Sequence, residues 1–518
     1  MIRNMRHYHI VYILGTAALW GTLTLMSSCT KHFEEINRPA ERIDGEEIRR
    51  DGFMTASFFK NVINTAIPSQ ENYFQHCENI FGHVYAHYGM FTDQGWASAK
   101  NPASYILPDS WYDAPTNNDF IKDWREIADL SGLEGVDGAL ALILRGIYTQ
   151  RIADMYGPTP YSKVLESKEN VPYDSQEDIY KGIIADLTKA SDMLAGVGVS
   201  SSFAENDLVY AGDYAKWRKL ANSIKLRMAL RMSKADPEYA KKAAREAYEA
   251  GVILTNQDNA LISYNPNPLY IVSYSYFDYA ISAELETYLK GFNDPRMEKM
   301  VSNSHIDGYE STIVGMRFGA VPRVGVKSSE GLYSRPNVTA STKNPWLLAP
   351  EMMFCLAEGK LNGWDFLPES VQTYYERAVT LSFEYWGVAS EADRYLSDDH
   401  STQSDYVDPV GSAPGISAVS SITIKWDDSD SEEIKREKIA TQKWLALYPL
   451  GVEAWSELRR TGYPKVFPSP NAQAEPLPVP ARIPFPKKEY KNNHNNYEEA
   501  VKLLGGPDKF GTKLWWNK

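Results

Sequence analysis

The sequence predicts a mainly α-helical fold of side-by-side helical hairpins, with long irregular loops and few short strands. Three observations point to it. Apolar residues recur at three- and four-residue steps through much of the chain, proline and glycine mark helix starts and stops, and aromatic-rich stretches without periodicity separate the helices.

The helices follow in order. Val136, Leu140, Ile143, Leu144, Ile147 and Ile152 make one apolar stripe, closed by Gly157-Pro158. Ile179, Ile183, Leu187, Ala190 and Leu194 share one face of the next helix. A third is expected from Tyr214 to Met232, with Trp217, Leu220, Ile224, Met228 and Met232 as core residues. Asp236-Pro237 then caps a fourth that stops at Gly251, the usual order of N-cap, first-turn proline and terminal glycine. Pro350 opens a helix to about Leu361, and Pro368 opens another that stops at Gly387. Ser429 with Glu432 reads as a capping box before Ile434 to Leu447. Short links between neighbours imply antiparallel packing. No strict 34-residue repeat is present, so any repeat units are degenerate.

Four irregular stretches lie between these helices, at about 90–120, 256–280, 302–348 and 397–428. Loops of that length in a folded protein are usually functional or disordered, and their rings argue for function. The first holds Trp96, Tyr105, Trp111 and Tyr112, and the second Tyr264, Tyr270, Tyr274, Tyr276, Phe277 and Tyr279. Eight prolines between Pro464 and Pro486 forbid a helix and impose an extended path.

The N-terminus carries an address. Arg3 and Arg6 precede an apolar run from Ile10 to Met26, followed by Ser27-Ser28-Cys29, the layout of a bacterial lipoprotein signal whose cysteine takes the lipid. The run is short for a transmembrane helix. Residues 1–28 are therefore read as a signal peptide, 29–50 as a polar, flexible tether anchored at Cys29, and 51–518 as one helical domain. Loss of residues 1–28 moves the formal charge from -13 to -15, which disfavours nucleic acid as a partner. Of the remaining cysteines, Cys77 and Cys355 are expected to be buried free thiols rather than a disulfide.

Strings distributed along the chain resemble one family: YGPTPYS from Tyr156, YDSQEDIY from Tyr173, KWRKLANSIKLRMALRMS from Lys216 and NDPRM from Asn293. The likeness continues with CLAEGKLNGW from Cys355, QKWLALYPLGVEAWSELRRTGYP from Gln442, RIPFPKKEYKNN from Arg482 and LWW near the end. Together with the lipid signal they resemble the SusD/RagB family of outer-membrane nutrient-binding lipoproteins. The resemblance implies tetratricopeptide-like hairpins carrying a ligand site on loops at one side. It also implies a cell-surface role, capturing oligosaccharides for a SusC-like TonB-dependent transporter, without a cofactor. Because the family's binding residues vary, none is transferred by motif.

The binding residues are chosen instead on chemistry. Sugars present apolar faces and polar edges, so rings and fork-like polar groups recognise them, each ring contributing about 1 kcal/mol. Trp96 and Trp111 with Asp93 and Asn101 form the first candidate set, and Tyr274, Tyr276 and Tyr279 the second. Peptide binding and a structural lid on the transporter are the alternatives, with a glycoside hydrolase behind them because paired carboxylates leave no fixed spacing. No nucleophile elbow, phosphate loop or dinucleotide pattern appears. His76, His83 and His87 would share one helical face, read as polar packing rather than a metal site. The acidic run Asp427, Asp428, Asp430, Glu432 and Glu433 reads as a solvated helix start. Glu358, on an otherwise apolar helix, requires a cation or backbone donors, with Arg296, Arg459 and Arg460 as the candidate cations.

Overall fold

A computed structural model describes residues 53–92, 109–116, 119–167, 170–201, 203–320, 332–470 and 479–517. The signal peptide, Cys29 and the tether lie outside these residues, as do Asp93, Trp96 and Asn101 and the side chain of Trp111.

The longer helices are α1 (Phe53–Ala66), α2 (Phe120–Ser131), α3 (Gly135–Tyr156), α4 (Gln176–Met193), α5 (Tyr214–Arg231) and α6 (Pro237–Ala250). They continue with α7 (Ala283–Gly291), α8 (Ala349–Leu361), α9 (Val371–Tyr385), α10 (Glu432–Leu447), α11 (Gly451–Thr461) and α12 (His494–Leu504). Consecutive helices pack on one another from α2 to α6, α8 lies against α9 and α10, and α10 lies against α11. The fold is mostly helical with few short strands, as the periodicity predicts. No described helix is long and apolar enough to cross a membrane.

Local chemistry explains the boundaries. Ser175, Asp213 and Asp236 accept hydrogen bonds from backbone N–H groups at the starts of α4, α5 and α6, with Pro237 in the first turn of α6. Two expected starts are shifted by two residues. Ser370, not Pro368, caps α9, and Ser431, not Ser429, caps α10 by accepting from Ile434. Ser429 instead donates to the Asp427 carboxylate, and Lys438 pairs with Asp430, so part of the acidic run holds the turn before α10.

The predicted stripe on α5 is core: Trp217, Leu220, Ile224, Met228 and Met232 are all at most 1% exposed. Charged side chains penetrate this interior in pairs. Arg227 grips Glu351 at 2.6 and 2.7 Å, Arg231 reaches Asp154 at 2.5 Å and also meets Glu453, and Lys443 meets Glu457 at 2.7 Å. Glu358 receives its cation from Arg460, one of the three candidates. Because an unpaired buried charge is expensive, these pairs fix which helix faces meet. Cys77 and Cys355 are buried free thiols.

Among the described residues four short strands accompany the helices. β1 (Gly89–Phe91) pairs antiparallel with β3 (Tyr279–Ile281), with Phe91 opposite Tyr279, and β2 (Ala260–Ile262) pairs with β4 (Asn344–Leu347). Thr55–Lys518 form one of two compact units, and the other, Met1–Met54, falls almost wholly outside the described residues.

Candidate functional site: an aromatic shelf

The second aromatic stretch starts from a fixed point. Asn267, 2% exposed, accepts from the Leu269 and Tyr270 amides at 2.8 and 3.2 Å. Its amide nitrogen donates to the Thr342 carbonyl at 2.8 Å, so the turn is fastened to the segment before β4. From there a short α-turn, Pro268–Tyr270, passes into a π-helical turn, Ile271–Ser275.

Tyr270 and Tyr274 stack with centroids 5.5 Å apart and planes 27° from parallel. The Tyr274 hydroxyl donates to the Pro336 carbonyl at 2.7 Å, leaving the ring half-buried. Tyr276 and Phe277 follow, 38% and 37% exposed. Phe277 has φ 58°, a left-handed conformation disfavoured for a bulky side chain. It is held there by hydrogen bonds. Thr92 donates its hydroxyl to the Phe277 carbonyl at 2.8 Å and its amide to the Asp278 carbonyl at 3.0 Å. Two rings adjacent in sequence are thereby exposed, whereas the other exposed rings among the described residues, Tyr73, Tyr309 and Tyr490, are separate from one another in sequence.

Tyr279 is corrected from a ligand contact to a core residue. It is 1% exposed, lies in β3 and packs against His83 with centroids 5.4 Å apart. All three residues of β3 are buried, so pairing with β1 takes Tyr279 into the interior.

The histidine reading also changes in detail. The segment Gln75–His83 is π-helical, so the seven- and four-residue steps do not place the three rings on one face. His83 donates from Nε2 to the Pro449 carbonyl at 2.7 Å, and burial, only partly opposed by that bond, lowers its pKa to about 4. His87 lies beyond the helix at φ 56° and meets Glu284 at 3.0 Å. Among the described residues no group of three His, Cys, Asp or Glu is arranged to hold a metal.

Of the predicted binding residues, the structure thus brings Tyr274 and Tyr276 together and removes Tyr279. The first set, Asp93, Trp96 and Asn101 with the Trp111 side chain, lies outside the described residues. Two shelf residues were not among the chosen set. Phe277 adjoins Tyr276 and carries a sequence signal, whereas Arg335, stacked on Tyr274 and Phe277, is brought there only by the fold.

A separate cavity of about 630 Å³ opens beside Lys234, Trp364, Arg436 and Tyr463, with Glu358 and Arg460 among its lining residues. It shares no lining residue with the shelf, and its buried acid and base already satisfy each other, so the shelf is the better candidate.

A SusD-like family model, described as SusD and RagB outer membrane lipoproteins, matches residues 35–517. No curated protein matches the chain. Among solved structures, a SusD homologue from Bacteroides uniformis is 33% identical with TM-score 0.83, the match covering 90% of this chain and 99% of that one. A SusD-like protein from Bacteroides thetaiotaomicron is 31% identical with TM-score 0.82, covering 89% and 98%. A chitin-binding SusD homologue from Flavobacterium johnsoniae is 31% identical with TM-score 0.81, covering 90% and 98%. The family match over most of the length, with about a third of residues shared across nine-tenths of the chain, means that this chain belongs to the SusD-like family of outer membrane lipoproteins.

Proposed function

We propose that the protein binds oligosaccharides at the cell surface, anchored through a lipid on Cys29, and delivers them to a SusC-like TonB-dependent transporter without covalent chemistry. The single observation that carries this reading is the exposed pair Tyr276 and Phe277 beside the Tyr270–Tyr274 stack, an aromatic ledge suited to the apolar faces of sugars. The helix pairs serve as a tetratricopeptide-like scaffold beneath it. In this reading Asp93, Trp96, Asn101 and Trp111, which follow Thr92 in the sequence, supply further contacts to the glycan. The chitin-binding relative supports a carbohydrate ligand.

The test uses a soluble form starting after Cys29, incubated with a panel of oligosaccharides that includes chitooligosaccharides. Calorimetric binding with no new reducing ends is the expected result. Sustained release of reducing ends, or affinity for peptides with none for glycans, would overturn the reading. For the anchor, a Cys29→Ala chain should leave the membrane fraction.

A further inference from the structure

Arg335 differs from the other buried arginines. It is 8% exposed, and Ser302 fixes its backbone, donating its amide to the Arg335 carbonyl at 2.9 Å and accepting the Arg335 amide at 3.3 Å. Its guanidinium carbon lies 5.3 Å from the Tyr274 ring centre and 4.8 Å from that of Phe277. Arg227, Arg231, Arg296, Arg460 and Arg482 each face a carboxylate. Arg317 and Arg459 lack one but direct their donors to backbone carbonyls, Pro414 and Pro468 for the first, Asp154 and Ala481 for the second. Among the described residues Arg335 has no carboxylate partner and only a single contact to a backbone carbonyl.

Among the described residues no carboxylate pairs with Arg335, and its side chain makes one long bond, from Nη1 to the Ser273 carbonyl at 3.3 Å. The other guanidinium nitrogens are not sealed from solvent, because none is among the buried polar atoms that lack a partner. Glu71 and Asp278, whose charges bear on Tyr276, leave it unpaired. A planar cation with open donors, walled by two rings, is thus presented at the shelf. Ring faces stabilise such a cation and exclude water, which strengthens any charge pairing made there. Carboxylate and sulfate match the guanidinium fork with two parallel bonds, whereas a sugar hydroxyl engages one donor at a time. In a chain of net charge -13, an acidic ligand also needs a local cation to be accepted.

We infer that the shelf selects acidic glycans, with Arg335 pairing with a carboxylate or sulfate while the sugar ring lies against the exposed rings. This rests on the glycan-binding reading above and specifies its ligand class. The experiment is calorimetry on the soluble form with trigalacturonate, a sulfated chondroitin tetrasaccharide and neutral N-acetylchitotriose.

At least one acidic probe should bind about tenfold more tightly than the neutral one and weaken as salt is raised. Arg335→Gln should weaken acidic-probe binding about tenfold more than neutral binding, abolishing the preference, and Arg335→Lys should restore part of it. The comparison of probes needs no variant, and melting curves check that both variants fold. The carboxylate and sulfate arms separate the two sources of charge. Equal or tighter binding of the neutral probe by the native protein, or an equal loss for all probes in Arg335→Gln, overturns the acidic assignment and leaves glycan binding standing. Absence of binding to every probe and to the wider oligosaccharide panel defeats both.

Discussion

Arg460 closes its two terminal nitrogens onto the two carboxylate oxygens of Glu358, both at 2.6 Å, joining the ends of α8 and α11. The same guanidinium reaches Glu457 at 2.7 Å. Arg460→Ala leaves the buried Glu358 carboxylate without its partner and should destabilise the fold by about 3–5 kcal/mol in urea unfolding, whereas Glu358→Gln leaves Arg460 paired with Glu457 and should cost less. Replacing both with methionine should cost less than Arg460→Ala, because Glu358 is not left as an orphaned charge.

Acid should weaken the fold in two windows. Burial lowers the His83 pKa to about 4, so below the unfolded value of 6.5 the unfolded chain takes up a proton that the folded protein refuses. Stability should therefore fall from about pH 6.5 to pH 4, by up to about 3 kcal/mol. Lower still, Glu457 adds to the loss. Burial alone would raise its carboxyl, but Arg460, Lys443 and Arg231 outweigh it and hold it well below 4.5, so its contribution fades as pH drops through that range. Stability against pH for His83→Gln should fall less steeply in the upper window only, the remaining slope coming from His76, whose pKa burial also lowers, and an unchanged slope there would refute the assignment.

Tyr279 should behave as core. Its hydroxyl has no hydrogen-bond partner, so Tyr279→Phe should leave stability unchanged or slightly raised. Tyr279→Ala should cost about 3–5 kcal/mol by analogy with other large aromatic truncations. Thermal melts of the two variants decide it, and a large loss in Tyr279→Phe would show that the hydroxyl is used.

Tyr276 should behave in the opposite way. Tyr276→Ala is expected to keep stability within about 0.5 kcal/mol, as for an exposed side chain. Glycan affinity should drop about fivefold, equivalent to about 1 kcal/mol of ring contact. Calorimetry on whichever oligosaccharide binds best measures it, and undiminished affinity would remove Tyr276 from the site.

The two thiols should be inert. Burial is the main cause raising both Cys77 and Cys355, to about 12, and each is sealed in the interior. A thiol reagent should modify neither in the folded soluble form and both after denaturation. Rapid labelling of the native protein would contradict the packing described.

Helix positions were legible because an apolar stripe is a local signal, and Trp217 to Met232 form core as their spacing requires. Cap positions were less so, since both Ser429 and Ser431 are chemically able to cap and only the turn through Asp427 decides between them. The π-helical segment escaped detection because Phe74, Cys77, Ile80, Phe81 and Val84 keep the three- and four-residue steps of an α-helix, and the wider turn displaced the histidines. Tyr274 and Tyr276 were readable as rings in an unpatterned stretch. The inward turn of Tyr279 depended on pairing with Phe91, 188 positions away in sequence. Arg335 gave no signal at all, because its meeting with Phe277 is purely tertiary.

The hold of Thr92 on Phe277 and Asp278 has a bearing on how such proteins diversify. Both bonds end on main-chain oxygens, and β1 meets β3 through main-chain atoms as well, so the stem that launches residues 93–108 does not depend on which side chains that stretch carries. The stretch can accordingly be exchanged as a cassette. Grafting the corresponding piece of a relative between Thr92 and Asp109 should transplant preference for a different nutrient while the root of the graft keeps its shape, a route by which one scaffold supplies many appetites.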